Sequence, residues 1–301
     1  MSRYSPVRGK MSDIRVWRMT ATQNLKLQTD ASTLDEITQR LPGGYYSTFR
    51  TFDGGTRVLG LAAHLRRLYD PVARPEVDES FLRQQLSALL EAYRPGEARV
   101  RAVMTKQGQV YLALAPLTPL PHEVYEKGVY VETTELQREH PRLKSTTFIG
   151  SSDSERKHIV QEGIFEALLL KDGKILEGMT SNFFYVKYHR AERASTAGRQ
   201  ALPSAQREAV LCTARDDILL GVTRETVIEI ARGRGLEVQF EPLKLSQLEM
   251  IGEAFITSSS RGIVPVVRID DVAIGQGSPG LLTKGLMTGY ESYVIEKAEK
   301  I

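Results

Sequence analysis

The stretch "DSERKHIVQEGIFEALLLKDGKILEGMTSNFFYVK", residues 153–187, decides the fold. It reads in order as helix, strand, turn, strand, turn, strand. Asp172-Gly173 between two β-rich runs is a hairpin signal. Working outward, "VYVETTEL" (129–136) is a further strand. "TRETVIEIARGRGL" (223–236) has helical spacing, with Gly235 near its end. "EVQFEPL", "AFITSSS" and "VPVVRID" read as strands, and "LLTKGLMTGYESYVIEKAEK" (281–300) as a terminal helix. The implied class is mixed α/β (α+β).

The N-terminal part has the same character. "GYYSTFRTF" (44–52), "DGG" and "TRVLGL" (56–61) form a hairpin pattern. "AAHLRRLYDPV" is a helix ended by Pro71. "DESFLRQQLSALLEAYRPG" (78–96) places apolar residues at 82, 86, 89, 90 and 93, which is helical spacing. "ARVRAVMT" and "QVYLALAPL" make a second hairpin across "KQG". Residues 1–42 read as a polar, variable extension, with a short helix in "STLDEITQRL" capped by Ser32. "TPLPHEVYEKG" (118–128) carries two prolines between strand-like runs and reads as a linker. The expected organisation is therefore a domain over 1–117, a linker over 118–128 and a domain over 129–301. Within the latter, 187–209 is basic and has no apolar stripe, so it reads as a flexible surface insertion.

Composition narrows the function. The 301 residues are 41% hydrophobic and 26% charged, which suits a globular enzyme. A net charge of +3 gives no general case for nucleic acid, and the insertion reads as solvated rather than as a nucleic-acid arm. Cys212 is the only cysteine, so no intrachain disulfide forms, and five scattered histidines offer no metal-ligand spacing; no metal is expected. No apolar run approaches the ~18 residues that span a bilayer. "MSRYSPVRGKMSD" lacks the apolar core of a secretory signal, so a cytoplasmic location is expected.

"PRLKSTTFIGSS" (141–152) places Lys144 among hydroxyl-bearing and apolar neighbours. A lysine in such a loop is ordinarily solvated. Four further stretches change that: "HLRRL" (64–68), "ILEGMTSNFFYV" (175–186), "ILLGVTRETVIEIA" (218–231) and "EAFITSSSRGIVPV" (253–266). With Lys144, in this order and at these separations, they resemble the class IV aminotransferases. That family includes branched-chain aminotransferase, D-amino acid aminotransferase and aminodeoxychorismate lyase. The resemblance runs from about residue 44 to the C-terminus. It implies a two-domain fold of type IV: a smaller N-terminal α/β domain and a larger C-terminal domain with a β-barrel-like core.

The resemblance also implies pyridoxal 5'-phosphate as cofactor, an amino acid and a 2-oxo acid as substrates, and a homodimer. Lys144 is then the catalytic residue. It holds the cofactor as a Schiff base and later moves a proton at the substrate Cα. Glu177, 33 residues on, matches the carboxylate that keeps the pyridine nitrogen protonated. Arg67 matches the arginine that grips the phosphate, and its neighbour Arg66 faces solvent. Gly221 allows a tight approach at a helix start, where the amides of Val222 and Thr223 favour an anion. Ser259 matches a phosphate contact, and the Ser259 and Ser260 amides match a contact to the substrate carboxylate.

The substrate pocket is less determined. Tyr45, Tyr46, Thr48 and Arg50 alternate by face, so one parity points inward. Tyr46 and Thr48 are the candidates, and Arg101, or Arg99 on the same strand face, is a candidate carboxylate ligand. The family's tyrosine five residues after the lysine is replaced by Ile149. Tyr45, Tyr46, Phe148 and Ile149 suit a branched-chain or neutral aliphatic amino acid. A D-amino acid aminotransferase and an aminodeoxychorismate lyase stay open, as more remotely do a non-catalytic protein, against which the joint presence of Lys144, Glu177 and Arg67 speaks, and a nucleic-acid binder acting through 187–209, against which the net charge of +3 speaks.

Overall fold

The computed structural model describes residues 14–188 and 209–301. Most of the expected insertion at 187–209, and the start of the expected extension, lie outside these residues. Two compact units divide the chain. Of the described residues, the first comprises 14–119, 138–157 and 294–301; the second comprises 120–137, 158–188 and 209–293. The chain thus leaves the first unit inside the expected linker. It returns for the run that carries Lys144, and again for its last eight residues.

The first unit is built on a seven-stranded antiparallel sheet. Its strands are β1 (Arg15–Met19), β2 (Asn24–Leu27), β3 (Gly44–Phe52), β4 (Arg57–Val58), β5 (Ala98–Thr105) and β6 (Val110–Pro116), with Glu299–Lys300 on the outer edge of β4. Both expected hairpins form, β3 with β4 and β5 with β6. The helix Leu61–Tyr69 and the helix Glu79–Leu90 bury Leu61, Leu65, Leu68, Leu82, Leu86 and Leu90 against Phe49, Val100 and Leu112. Each fully buried leucine contributes roughly 2 kcal/mol of transfer free energy.

The alternation of β3 is resolved. Ser47 and Phe49 face the helix side, where Ser47 Oγ lies 2.9 Å from His64 Nδ1 and Phe49 joins the leucines. Tyr46 packs with Val103, Tyr111 and Ile149 in a separate cluster on the other side. Three details depart from the sequence reading. The extension holds two strands, β1 and β2. The cap of the helix Leu34–Arg40 is Thr33, whose hydroxyl accepts from the Glu36 amide, while Ser32 donates its own amide to the Glu36 carboxylate. The terminal helix ends at Lys297, and Glu299–Lys300 pair as a strand.

The second unit holds β7 (Val129–Thr134), β8 (Glu166–Lys171), β9 (Lys174–Gly178), β10 (Asn182–Tyr188), β11 (Ala209–Thr213), β12 (Glu237–Phe240), β13 (Leu243–Lys244), β14 (Glu253–Ser258), β15 (Gly262–Ile269) and β16 (Val272–Ala273). Six of them close a ring in the order β10, β14, β15, β7, β8, β9 and back to β10. This is a β-barrel. The closing pair is Asn182 opposite Glu177. Its apolar core includes Val131, Leu168, Ile175, Phe183, Tyr185, Ile256 and Val264. Among the described residues, no helix is long and apolar enough to cross a membrane.

Candidate active site

The site candidates fall into two sets, one in each unit. In the first unit, Lys144 sits beside the start of β3. Its carbonyl accepts from the Tyr46 amide at 2.9 Å, and two residues on the Thr146 amide donates to Gly44 at 2.9 Å. The Thr146 hydroxyl also accepts from the Gly44 amide. What reads as a loop lysine is therefore pinned at the backbone on both sides. Lys144 Nζ lies 4.9 Å from the centre of the Tyr46 ring, a cation–π distance. A five-residue helix, Thr147–Ser151, follows.

The Tyr46 ring takes a second cation. The guanidinium of Arg101, on β5, lies 4.7 Å from the same ring centre. Arg101 is 4% exposed, too little to meet a ligand freely. Its Nε donates to Thr48 Oγ1 at 3.0 Å. Its Nη1 is shared among Asp35 at 2.5 Å, Thr38 at 3.1 Å and the Leu34 carbonyl at 3.2 Å. Arg156 binds the other oxygen of Asp35 at 3.0 Å. Burial pushes the Asp35 carboxyl up, but Arg101 and Arg156 outweigh it and hold the group below its ordinary value. Tyr46, Thr48, Lys144 and Arg101 are thus brought together, whereas Arg99 is exposed on its strand.

Two expected pocket residues are elsewhere. Ile149 has no exposed surface and fills the cluster with Tyr46, Val103 and Tyr111. Tyr45 packs on the helix-side core. Phe148 is buried beneath the Arg138 guanidinium, 3.7 Å from the ring centre.

On the helix Leu61–Tyr69, Arg66 is exposed and Arg67 half-buried. His64, one turn before Arg67, is buried, and among the described residues its Nε2 has no hydrogen-bond partner. Burial first, then the cations of Arg67 and Lys144, hold its pKa well below the ordinary 6.5. The imidazole is therefore neutral at neutral pH.

The second set lies at one end of the barrel. Glu177 is the penultimate residue of β9 and is 1% exposed. Its Oε2 accepts from the Leu219 amide at 3.1 Å and from Asn182 Nδ2 at 3.3 Å; Asn182 Nδ2 also donates to the Leu219 carbonyl at 2.7 Å. A carboxylate so buried and bonded is fixed in place. The segment then runs through Gly221 into the helix Val222–Gly233. A Cβ on Gly221 would stand 2.1 Å from Asn182 Oδ1, so only glycine permits this approach. The first intrahelical bond is from the Glu225 amide to the Gly221 carbonyl. The amides of Val222 and Thr223 precede it and take no part in the helical ladder. Thr223 Oγ1 stands 3.4 Å from Ser259 Oγ, so the helix start and the serine turn meet.

This arrangement suits an anion at the helix start and a proton-bearing ring nitrogen at a buried carboxylate. Gly221 keeps the approach narrow, and two hydroxyls converge there. The chemistry of the donors fits a phosphorylated pyridine. Among the described residues, no group of three or more His, Cys, Asp or Glu is placed to hold a metal ion.

The motifs alone did not single out Asn182, which bonds Glu177, or His64 and Glu166, which are buried, or Arg261, which is half-buried. Asn182 was legible as the "SN" beside Glu177. For Glu166 and Arg261 the sequence signal is a charged residue at the edge of an apolar or serine-rich run, as where Glu166 opens "EALLL".

Residues 44–269 match the family model described as amino-transferase class IV. The chain is 26% identical over 276 residues to the D-alanine aminotransferase of Bacillus licheniformis, covering 85% of this chain and 89% of that protein. It is 30% identical over 264 residues to a Methanocaldococcus jannaschii protein provisionally assigned as a branched-chain-amino-acid aminotransferase, covering 81% and 84%. In fold it is similar to the T.th. branched-chain amino acid aminotransferase solved with pyridoxamine 5'-phosphate. The TM-score is 0.73 at 21% identity, covering 94% of each chain.

Proposed function

Because the chain belongs to the class IV aminotransferases, we propose that it moves the amino group of a neutral aliphatic amino acid to a 2-oxo acid, with Lys144 as its catalytic residue and pyridoxal phosphate as its cofactor. The observation that carries this reading is that the family match over 44–269 includes both sets of candidates. Lys144 and Arg67 come from one, and Glu177, Val222, Thr223, Ser259 and Ser260 from the other. Both sets are assigned to one cofactor on that ground.

When bound, pyridoxal phosphate supplies an electron sink for negative charge at the substrate Cα. The protein supplies the rest. Lys144 Nζ takes the Cα proton and returns it on the acceptor side. Glu177 Oε2, already bonded to Leu219 and Asn182, belongs to the carboxylate that holds a proton on the ring nitrogen. Arg67, the amides of Val222 and Thr223, and the Ser259 hydroxyl bind the phosphate. The Ser259 and Ser260 amides orient the substrate carboxylate. Tyr46 forms a wall beside the amine.

Two features favour an uncharged substrate side chain. Tyr46 places an aromatic ring, not a charge, next to the Lys144 amine. Arg101, the cation that could receive a side-chain carboxylate, is bonded to Asp35, Thr38 and Thr48. We place Arg101 and Thr48 behind Tyr46, as the brace that sets its ring. The active form in this reading is a homodimer, on family resemblance.

A panel of L- and D-amino acids with 2-oxoglutarate or pyruvate tests the assignment, run beside pyruvate release from aminodeoxychorismate. The expected result is amino transfer from aliphatic amino acids above transfer from acidic ones. Pyruvate release without amino transfer would make the protein a lyase and overturn the proposal.

A further inference from the structure

Arg261 follows Ser259 and Ser260 and lies at the end of the turn between β14 and β15. Its Nη2 donates to Glu166 Oε2 at 2.9 Å and to Thr180 Oγ1 at 2.6 Å, and its Nε to Ser258 Oγ at 3.1 Å. Its carbonyl accepts from the Tyr125 hydroxyl at 2.9 Å, and its guanidinium lies 5.2 Å from the centre of the Phe165 ring. Glu166, at the start of β8, is 1% exposed. Its Oε2 accepts from Arg261, from Thr180 Oγ1 at 2.6 Å and from Ser181 Oγ at 3.4 Å. A Cβ on Gly178 would stand 2.2 Å from Ser181 Oγ and 3.1 Å from Glu166 Cγ, so the 178–182 turn closes tightly over this carboxylate.

A buried carboxylate is costly unless paired and hydrogen-bonded. Here one carboxylate oxygen and one guanidinium satisfy each other across two turns. The first turn lies between Glu177 and Asn182. The second carries Ser259 and Ser260. Neither charge touches the groups assigned to the cofactor. Both hold the backbone from which those groups project.

We propose that Arg261 and Glu166 are positioning residues: a clamp that fixes the 258–262 turn against the 178–182 turn and so sets the serine amides and hydroxyl in register with Glu177. Its consequence for cofactor and substrate rests on the function proposed above; the coupling of the two turns does not.

The test uses the full chain and four proteins: wild type, Arg261→Lys, Glu166→Gln and the paired Glu166→Leu/Arg261→Met. Lysine keeps the charge but cannot reach Glu166, Thr180 and Ser258 together as the guanidinium fork does. The paired variant leaves no unpaired buried charge, so it keeps the test alive if Glu166→Gln fails to fold. Amide hydrogen exchange is measured on cofactor-free protein. The clamp predicts exchange faster by about tenfold or more at both turns together in each folded variant, with the rest of the barrel unchanged. Faster exchange at one turn alone, or at neither, overturns it. In cofactor-loaded protein, Arg261→Lys should raise the KM for the 2-oxo acid or the Kd for pyridoxal phosphate by about tenfold, with kcat within about threefold. A role confined to stability would lower the melting midpoint and leave both constants where they were, which also contradicts the clamp. Wild type that takes up no pyridoxal phosphate would sink the functional proposal, while the exchange experiment would still decide the clamp.

Discussion

Glu177 and Arg67 carry charges of opposite sign and should fail differently. Glu177→Gln keeps the shape but cannot hold a pyridinium proton as a carboxylate does. It should leave the cofactor bound and slow proton removal at Cα. With Arg67 in its proposed role, Arg67→Ala should remove one charge-assisted contact to phosphate, roughly 1.5–3 kcal/mol, or about one to two orders of magnitude in cofactor affinity. Saturating pyridoxal phosphate should rescue much of the Arg67 variant and little of the Glu177 variant; steady-state rates against cofactor concentration decide. His64 predicts a pH effect. Its folded pKa is depressed, so below the unfolded value of 6.5 the unfolded chain binds a proton that the folded one does not. Stability should therefore fall as pH drops below about 6.5, by up to ~1.4 kcal/mol per unit from this group, and His64→Gln should remove that slope. Denaturant midpoints from pH 7.5 to 5, measured without cofactor, give the comparison; equal slopes in the two proteins would refute it. At this scale the motifs were legible because type and spacing travel together. Side and burial were not. Alternation along β3 says that Tyr45 and Tyr46 oppose each other, but not which faces Lys144. Nor could Ile149 be seen to be fully buried, because that depends on Val103 and Tyr111, far away in sequence.

Glycine at 221 is where the local elements are most sensitive. Its backbone is ordinary, φ −70° and ψ 140°, so conformation alone does not demand glycine. The demand comes from Asn182, whose Oδ1 would meet a new Cβ at 2.1 Å. Gly221→Ala must push Asn182 or the helix start aside. A cost of roughly 1–3 kcal/mol follows from overpacking. Because Asn182 also bonds Glu177, pyridoxal phosphate affinity and turnover should fall together. Thermal unfolding beside cofactor titration checks this, and a stable variant with normal affinity would show that the contact is dispensable. The helix Glu79–Leu90 is legible from its apolar stripe and its start, but its end is not: the stripe runs on to residue 93, whereas the α-helix stops at Leu90 and tightens into a 3-10 turn over Glu91–Tyr93. Strands β1 and β2 were missed. "NLKL" shows no buried face of its own, since β2 is an edge strand whose pairing with β1 supplies its order. The pairing of Glu299–Lys300 with β4 was equally hidden, because partners so far apart in sequence leave no trace in local periodicity.

At the level of the whole chain, the barrel was foreseen only through family resemblance. No single strand announces closure. It depends on β9 and β10 meeting at Glu177 and Asn182, where the ring closes and a buried carboxylate is fixed in the same step. The partition of the chain was also not local. The Lys144 run returns to the first unit because residues 144–146 pair with 44–46. A dimer in solution is expected, and light scattering at assay concentration should report twice the chain mass; a fully active monomer would remove the partner from the account. The central claim is that Lys144 carries the cofactor. Borohydride reduction of the purified, pyridoxal phosphate-loaded protein, followed by peptide mass mapping, should place the phosphopyridoxyl group on the peptide containing residue 144. A label on another lysine, or no label after reconstitution, would contradict it.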